Sequence, residues 1–582
     1  MERITGKFSS SRFGWLILLL LLLGINFVAS VFHSRIDLTK EKRYTLSKAT
    51  NTLVGSLNDK VEIDVFLKGE FPSGFRRLAN STDEFLQLLK DRNGSRIQYR
   101  FISPEDKVPG ASISYGDSLQ GLGALPINLT VQLKAGQSSN IIFPVAVIHY
   151  KGKQALVNLY PGASRNISQT EINSAEALME YQFVNALNKL VNEKRPAIGY
   201  AVGNGEPTDG RTYDLVQTLE KENDFRIFNL ATQKIIPDNM DVLMIVKPTQ
   251  QFSEQDKLKI DQYVMRGGKL LCFIDNLVAE QDSLSGKPET IAFDRNLNLT
   301  DLFFRYGLRI NTDLIMDLQS DMIPFVVGGT MDNPQFEFLH WNYFPLLNAG
   351  SNKLNNLGYI AGRFVNSIDT IKVAGVVKTP LLVSSSNSRI ISTPARISLN
   401  ENRNAPQDAS FTRQAIPAAM LLEGKFTSLY KNRASQADKD SLAAAGVSFA
   451  SESRENKIIV VADGDAVLNE FIADPETKRP TPLPMGWNKY TFGEYQKQSE
   501  GGKFFIPVAN HDFLLASLDY LVNNAAITAT RNKDIVLRLL DTEKVKENKT
   551  MWQLINIVLP ILLIILAGVV YQVLRKRKYS GN

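Results

Sequence analysis

Two uninterrupted apolar runs frame the chain. Residues 13–32 and 551–574 hold no Asp, Glu, Lys or Arg. Each reaches the roughly 20 residues that a helix needs to cross a hydrocarbon core, at about 1.5 Å per residue. Between them the polarity changes on shorter periods. Residues 61–67 alternate as a half-buried strand, and 78–91 space Leu78, Phe85, Leu88 and Leu89 like one face of a helix. Further strands are predicted at 97–102, 127–134, 141–149 and 154–159, then a helix over 171–191 that Pro196 stops. The stretch 33–165 is therefore expected to form an α+β domain next to the membrane.

From residue 197 the strands lose their alternation. Residues 197–202, 241–246 and 269–274 are continuous apolar segments, the composition of strands buried on both faces. Helices fall between them. One begins near Tyr213, and another opens after Phe252, with Ser253 as N-cap and Gly267-Gly268 as its stop. A fourth such strand returns at 457–463, and a last helix covers 511–523. Continuous apolar strands alternating with helices imply a parallel sheet. The central domain, 166–530, is expected to be α/β and flavodoxin- or amidotransferase-like, with a subdomain inserted at about 310–450. Residues 531–550 follow as a charged stalk.

Charge orients the frame. The chain carries 66 Lys and Arg against 60 Asp and Glu. The tails 1–12 and 575–582 take seven of the basic residues and one acid, so the long middle holds 59 of each and is neutral. Basic flanks stay cytoplasmic, which predicts both termini inside a bacterial inner membrane and residues 33–550 in the periplasm. Trp15, Trp552 and Tyr571 stand near the ends of the runs, where interfacial aromatics belong. The length of the first run favours an uncleaved anchor over a signal peptide ending at Val28-Ala29-Ser30. A neutral external block also speaks against a nucleic-acid partner, which needs basic residues concentrated on the folded domain.

Little in the chain points to catalysis. The single cysteine, Cys272, lies within the third apolar strand, without the glycine-flanked turn that exposes a nucleophile. No catalytic residue is assigned, and an amidotransferase-like hydrolase is disfavoured. His33, His149, His340 and His511 are scattered without metal-ligand spacing, and no Gly-x4-Gly-Lys-Ser/Thr motif occurs. Neither a metal nor a nucleotide cofactor is expected. The loop Gly203-Asn204-Gly205-Glu206 follows the first parallel strand, where open α/β sheets bind ligands, but Thr208 stands where a dinucleotide fingerprint has its third glycine. A structural turn and a phosphate or glycan site both fit it, and Asp275, at the end of a neighbouring strand, is the other wall of any cleft there. Residues 37–47, with Asp37, Arg43 and Tyr44, form either a solvated linker or a docking strip for a partner. Asn26, Gln553, Asn556 and Gln572 are amides in otherwise apolar helices, and such side chains face other helices rather than lipid.

Six segments carry a family resemblance: 37–47 (DLTKEKRYTLS), 69–78 (GEFPSGFRRL), 203–206 (GNGE), 260–270 (IDQYVMRGGKL), 421–426 (LLEGKF) and 462–465 (ADGD). As a set they resemble the GldG-like gliding-motility proteins, membrane-anchored auxiliary subunits, named as substrate-binding, of an ABC transporter in gliding Bacteroidota. The resemblance covers nearly the whole chain. It implies a non-enzymatic accessory subunit that works with a polytopic permease and, through it, a cytoplasmic ATPase, in motility and the associated protein secretion. A periplasmic glycan- or solute-binding receptor is the alternative.

Overall fold

A computed structural model describes residues 19–24, 26, 45–522, 527, 530 and 549–579, apart from 161–168, 400–407, 494–507 and several single or paired positions. Residues 1–534 form one compact unit and 535–582 another.

The first part of the larger unit is a four-stranded sheet. It contains β1 (Val61–Val65), β2 (Ile97–Phe101), β3 (Val145–Tyr150) and β4 (Lys153–Asn158), in the order β2-β1-β3-β4. β1 runs parallel to β2 and antiparallel to β3. The alternation of β1 buries Val61, Ile63 and Val65 in one cluster with Phe75, Leu78 and Leu86 of a helix at Ser73–Arg92 and Phe183 and Leu187 of another at Gln169–Val191. Arg77 and Glu176 cross-link those helices at 2.6 Å. The short helix Lys48–Gly55 precedes them, capped by Ser47, whose Oγ accepts from Thr50 N at 3.1 Å.

The larger part is a ten-stranded sheet. Its parallel half consists of β5 (Ala197–Val202), β6 (Asp224–Asn229), β7 (Val242–Val246), β8 (Lys269–Phe273) and a late strand at Glu452–Val461. These lie in the order β6, β5, β7, β8, late strand, and every neighbouring pair is parallel. In chain order that is 2-1-3-4-5, so the winding reverses between β5 and β7, the switch point where doubly wound sheets open a crevice. Four strands drawn from 310–450 continue the same sheet antiparallel to its far edge: β9 (Ser320–Thr330), β10 (Asn333–Ala349), β11 (Val376–Val383) and β12 (Pro417–Thr427). The late strand, β13, pairs with β12 on one side and β8 on the other.

Continuous apolar strands make sense once both faces are covered. Leu271 and Phe273 of β8 join a cluster with Leu215 and Leu219 of α1 (Tyr213–Glu222) and Phe513 and Leu514 of α4 (Asn510–Val522). Leu270 and Cys272 join the opposite cluster with Ile260 and Val264 of α2 (Glu254–Met265) and Leu302 of α3 (Thr300–Tyr306). Ser253 caps α2 as expected, its Oγ accepting from Asp256 N at 3.1 Å.

The second apolar run forms α5 (Lys549–Tyr579), whose segment Met551–Arg577 is long and apolar enough to cross a membrane. The side chains of Met551–Arg577 are exposed, Gln553, Asn556 and Gln572 among them, and Pro560 lies inside the helix. Of the first run, residues 19–24 and 26 are described and helical; the rest of 13–32, the stretch 531–548, and Asp37, Arg43 and Tyr44 lie outside the described residues. Asn26 donates its amide to Leu22 O at 3.3 Å, within its own helix.

Candidate functional site

The carboxyl ends of the parallel strands bring four loops together. The loop after β5 needs its glycines: Gly203 and Gly205 have φ of +124° and +79°, and a Cβ on Gly205 would stand 2.1 Å from Thr249 Oγ1. This close approach lets Asn204 O accept from Thr249 N at 2.9 Å and Gln250 N at 2.8 Å, while Thr249 Oγ1 donates to Gly205 O at 3.0 Å. The loop after β5 is thus fastened to the loop after β7, across the switch point. Glu206 folds back so that Oε2 accepts from Asn204 N at 2.8 Å. Among the described residues Glu206 Oε1 and Asn204 Oδ1 are buried without a hydrogen-bond partner, and burial raises the Glu206 pKa.

Asp275 lies in a different constellation. Lys247, the first residue after β7, has φ +44° and is 3% exposed. Its Nζ donates to Asp465 at 2.7 Å and to Glu280 at 3.0 Å, and lies 3.2 Å from Asp275 Oδ2 without hydrogen-bond geometry. Arg295 holds Glu280 at 2.9 Å from the other side. Asp463 accepts from Arg363 N at 2.9 Å and from Asp465 N at 2.8 Å. The turn after β13 must carry Gly464, since a Cβ there would meet Lys247 Cβ and Cγ at 2.8 Å and Asp275 Oδ2 at 2.9 Å.

Burial alone would lower the Lys247 pKa, but Asp465, Asp275 and Glu280 carry it above its ordinary value. Burial pushes Asp275 up to about 6 against the pull of Lys247, and burial also raises Asp463, reinforced by Asp275 and Asp465. Asp465 goes the other way: burial opposes ionisation, and Lys247 and Arg363 overcome it. Oxygens of Asp275, Asp463 and Asp465 lie within 4.8 Å of one another, a spacing that a divalent cation could bridge. The Lys247 ammonium already pairs with two of the three, so the group carries its own counter-cation.

The residues named from the sequence are therefore split. Gly203–Glu206 bond to the 249–251 loop, whereas Asp275 belongs to the Lys247 cluster. Sequence reasoning missed Lys247, Glu280 and Arg363 as members. The signal available was a lysine and an Asp-Gly-Asp turn, each directly after a buried strand. An open cleft of 640 Å³ lies alongside, lined by Gln251 and Asn276, immediate neighbours of the named residues, and by Asp294, Asp301, Phe304 and Arg305.

Cys272 sits mid-strand, paired with Ile245 on one side and Val460 on the other, and burial pushes its thiol up to about 12. A thiol held protonated in this way is a poor nucleophile. Cys272→Ser is expected to cost about 1–3 kcal/mol, because it buries a hydroxyl without a partner, and to leave biological activity intact. Complementation of a deletion strain checks this; lost activity in a folded, normally abundant variant would restore the enzyme reading.

Residues 195–505 match the family described as an ABC-type uncharacterized transport system, more than half of the chain. The protein belongs to this family of transport auxiliaries. Residues 40–149 of this auxiliary protein match a domain of unknown function. An uncharacterized protein of Borreliella burgdorferi is 24% identical over 426 residues, covering 72% of this chain and 78% of the relative. Among solved structures, the mmIFT52 N-terminal domain overlaps 56% of this chain and 98% of its own at 10% identity and TM-score 0.30. The exo-beta-1,4-mannosidase Op5Man5 from Opitutaceae bacterium strain TAV5 overlaps 81% and 55% at 9% identity and TM-score 0.20. Neither overlap bears on fold or function. The auxiliary protein is a membrane-associated component of an ABC transport system, with one apolar helix, Met551–Arg577, long enough to span among the described residues.

Proposed function

We propose that this auxiliary protein is a non-catalytic accessory subunit that couples an ATP-driven permease to events outside the cytoplasmic membrane. A helix at each end anchors it, both termini are cytoplasmic, and the bulk of the chain is periplasmic. The geometric observation that carries the non-catalytic reading is the switch point of the parallel sheet, closed between the loops after β5 and β7. Where doubly wound enzymes keep an open crevice, this chain fastens two loops backbone to backbone and fills the next positions with an ion cluster built around Lys247. The 2-1-3-4-5 strand order supports a flavodoxin-like core serving here as a rigid scaffold. The family match over 195–505 supports a permease and its ATPase as partners. The segments shared with the GldG-like proteins support gliding motility and its associated secretion as the process served.

Amide side chains in a spanning helix favour interhelical partners, at about 0.6–2 kcal/mol per bond. Asn26, Gln553, Asn556 and Gln572 are therefore assigned to contacts with permease helices. Mild detergent extraction is expected to recover a polytopic permease and its ATPase with the full-length protein. Replacing Asn26 and Asn556 together by Leu should weaken that complex while the periplasmic part keeps its native denaturation profile. A protein that purifies alone, from cells whose function survives deletion of the permease, would overturn the proposal.

A further inference from the structure

The open cleft lined by the loops after β7 and β8 carries two charged side chains that are not ion-paired among the described residues. Asp294, the last residue of a strand at Glu289–Asp294, is exposed, and among the described residues its Oδ1 accepts only from Asn296 N, at 2.8 Å. In the same cleft, Arg305 of α3 spends Nε on Ser428 O at 3.2 Å, and its terminal amino groups have no protein partner among the described residues. Neither group has an opposite charge within ion-pair distance among the described residues, and they do not pair with each other. The other charged pair lining the cleft differs. Asp301 is neutralised by Lys257 at 3.0 Å and by Arg433 at 3.5 Å. Phe304, which exposes half of its surface, lines the same cleft together with buried Leu297 and Leu429.

A volume of 640 Å³ falls within the range of small-molecule sites. A neutral ligand could bond to the amides here but would leave the carboxylate and the guanidinium uncompensated. A ligand carrying both charges would satisfy the two at once, with charge-assisted hydrogen bonds roughly twice as strong as neutral ones. We propose that this cleft binds a small zwitterion of the α-amino-acid or short-peptide class, its ammonium against Asp294, its carboxylate against Arg305 and its apolar part over Phe304. The cleft lies wholly within this chain, so the proposal stands or falls separately from the permease partnership.

The test is calorimetric titration of the full-length, detergent-solubilised protein with four probes: trialanine, N-acetyl-trialanine, trialanine amide and maltotriose. Trialanine is expected to bind, each blocked peptide to bind roughly 10-fold more weakly or worse, as loss of one charged hydrogen bond implies, and maltotriose not to bind. Asp294→Asn, which keeps the acceptor for Asn296 N, should abolish the difference between trialanine and its acetylated form. Arg305→Gln should abolish the difference between trialanine and its amide. Binding of maltotriose without trialanine would assign the cleft to glycans and overturn the proposal. So would trialanine binding that both substitutions leave unchanged, or silence from all four probes up to about 10 mM, beyond the weak end of specific recognition.

Discussion

Replacing Lys247 by Met is expected to destabilise the larger unit by about 3–5 kcal/mol near pH 7.5, and by much less near pH 5, because the loss is that of a buried charge's partner. In the wild type the ammonium is 3% exposed and shared by Asp465, Glu280 and Asp275. Its pKa stands above the ordinary lysine value, so its contribution is fully present below the unfolded value and fades only as pH rises beyond it. Without it, Asp275, already raised by burial, loses its counter-charge, and Asp465 loses the pull that keeps it low. Folded carboxyls with pKa above their unfolded values bind protons more tightly than the unfolded chain does. Stability must then fall as pH climbs from the acid range toward neutrality. Urea titrations of the purified protein across that range read the effect. Adding Asp465→Asn to Lys247→Met should recover part of the loss, a coupling that only neighbouring charges produce. A Lys247→Met penalty that is the same at every pH would reduce the lysine to a packing element and remove the electrostatic account.

Lys247 also shows where sequence reading ends. The strands 197–202, 241–246 and 269–274 were legible because a strand covered on both faces cannot alternate, and the structure has them as β5, β7 and β8. Ser253 and Gly267 were legible because caps are local: the first accepts from Asp256 N and the second has φ +100°. The order 2-1-3-4-5 was not, since an apolar strand carries no mark of its neighbour. Nor was the pairing of β12 with β13, which makes strands from 310–450 continuous with the central sheet. A lysine after a strand reads as a solvent-facing turn, and its partners Asp275 and Asp465 are 28 and 218 residues away. Asp275 was expected at the end of a strand neighbouring that of the Gly203 loop; it follows β8, which β7 separates from β5. Its alternation then turns it into the buried cluster, and Asn276 is the residue that lines the cleft. The segments 260–270 and 462–465 carried a family resemblance without a reason. The structure supplies one, since Asp261 is a buried acceptor for Ser428 and Gly464 leaves no room for a Cβ against Lys247 and Asp275.

Asp261→Ala is expected to cost about 3–5 kcal/mol, because it orphans several buried donors at once and each costs about 1–3 kcal/mol, short of additively. The side chain is fully buried on α2. Its Oδ1 accepts from Tyr306 OH at 3.0 Å and from Leu429 N at 2.9 Å; its Oδ2 accepts from Ser428 Oγ at 2.6 Å and Gln262 Nε2 at 3.1 Å. One carboxylate thus fastens α2 to the last residue of α3 and to the turn that follows β12. Asp261→Asn keeps Oδ1 as an acceptor but presents a donor to Ser428 and Gln262, so about half of the alanine penalty is expected, again as unmade bonds. Urea titration gives the totals, and hydrogen exchange localises them: the Leu429 amide should lose protection well before the strands of the sheet. A penalty below about 1 kcal/mol for Asp261→Ala would mean that the four donors find other acceptors and that the network is not what holds α3. The same substitution reaches the cleft. Tyr306 directly follows Arg305, and Ser428, which bonds Asp261 through its hydroxyl, accepts Arg305 Nε through its carbonyl. Freeing both at once should loosen the wall that carries the guanidinium. Affinity for a carboxylate-bearing probe should therefore fall in Asp261→Ala while the contact at Asp294, on a separate strand, is kept.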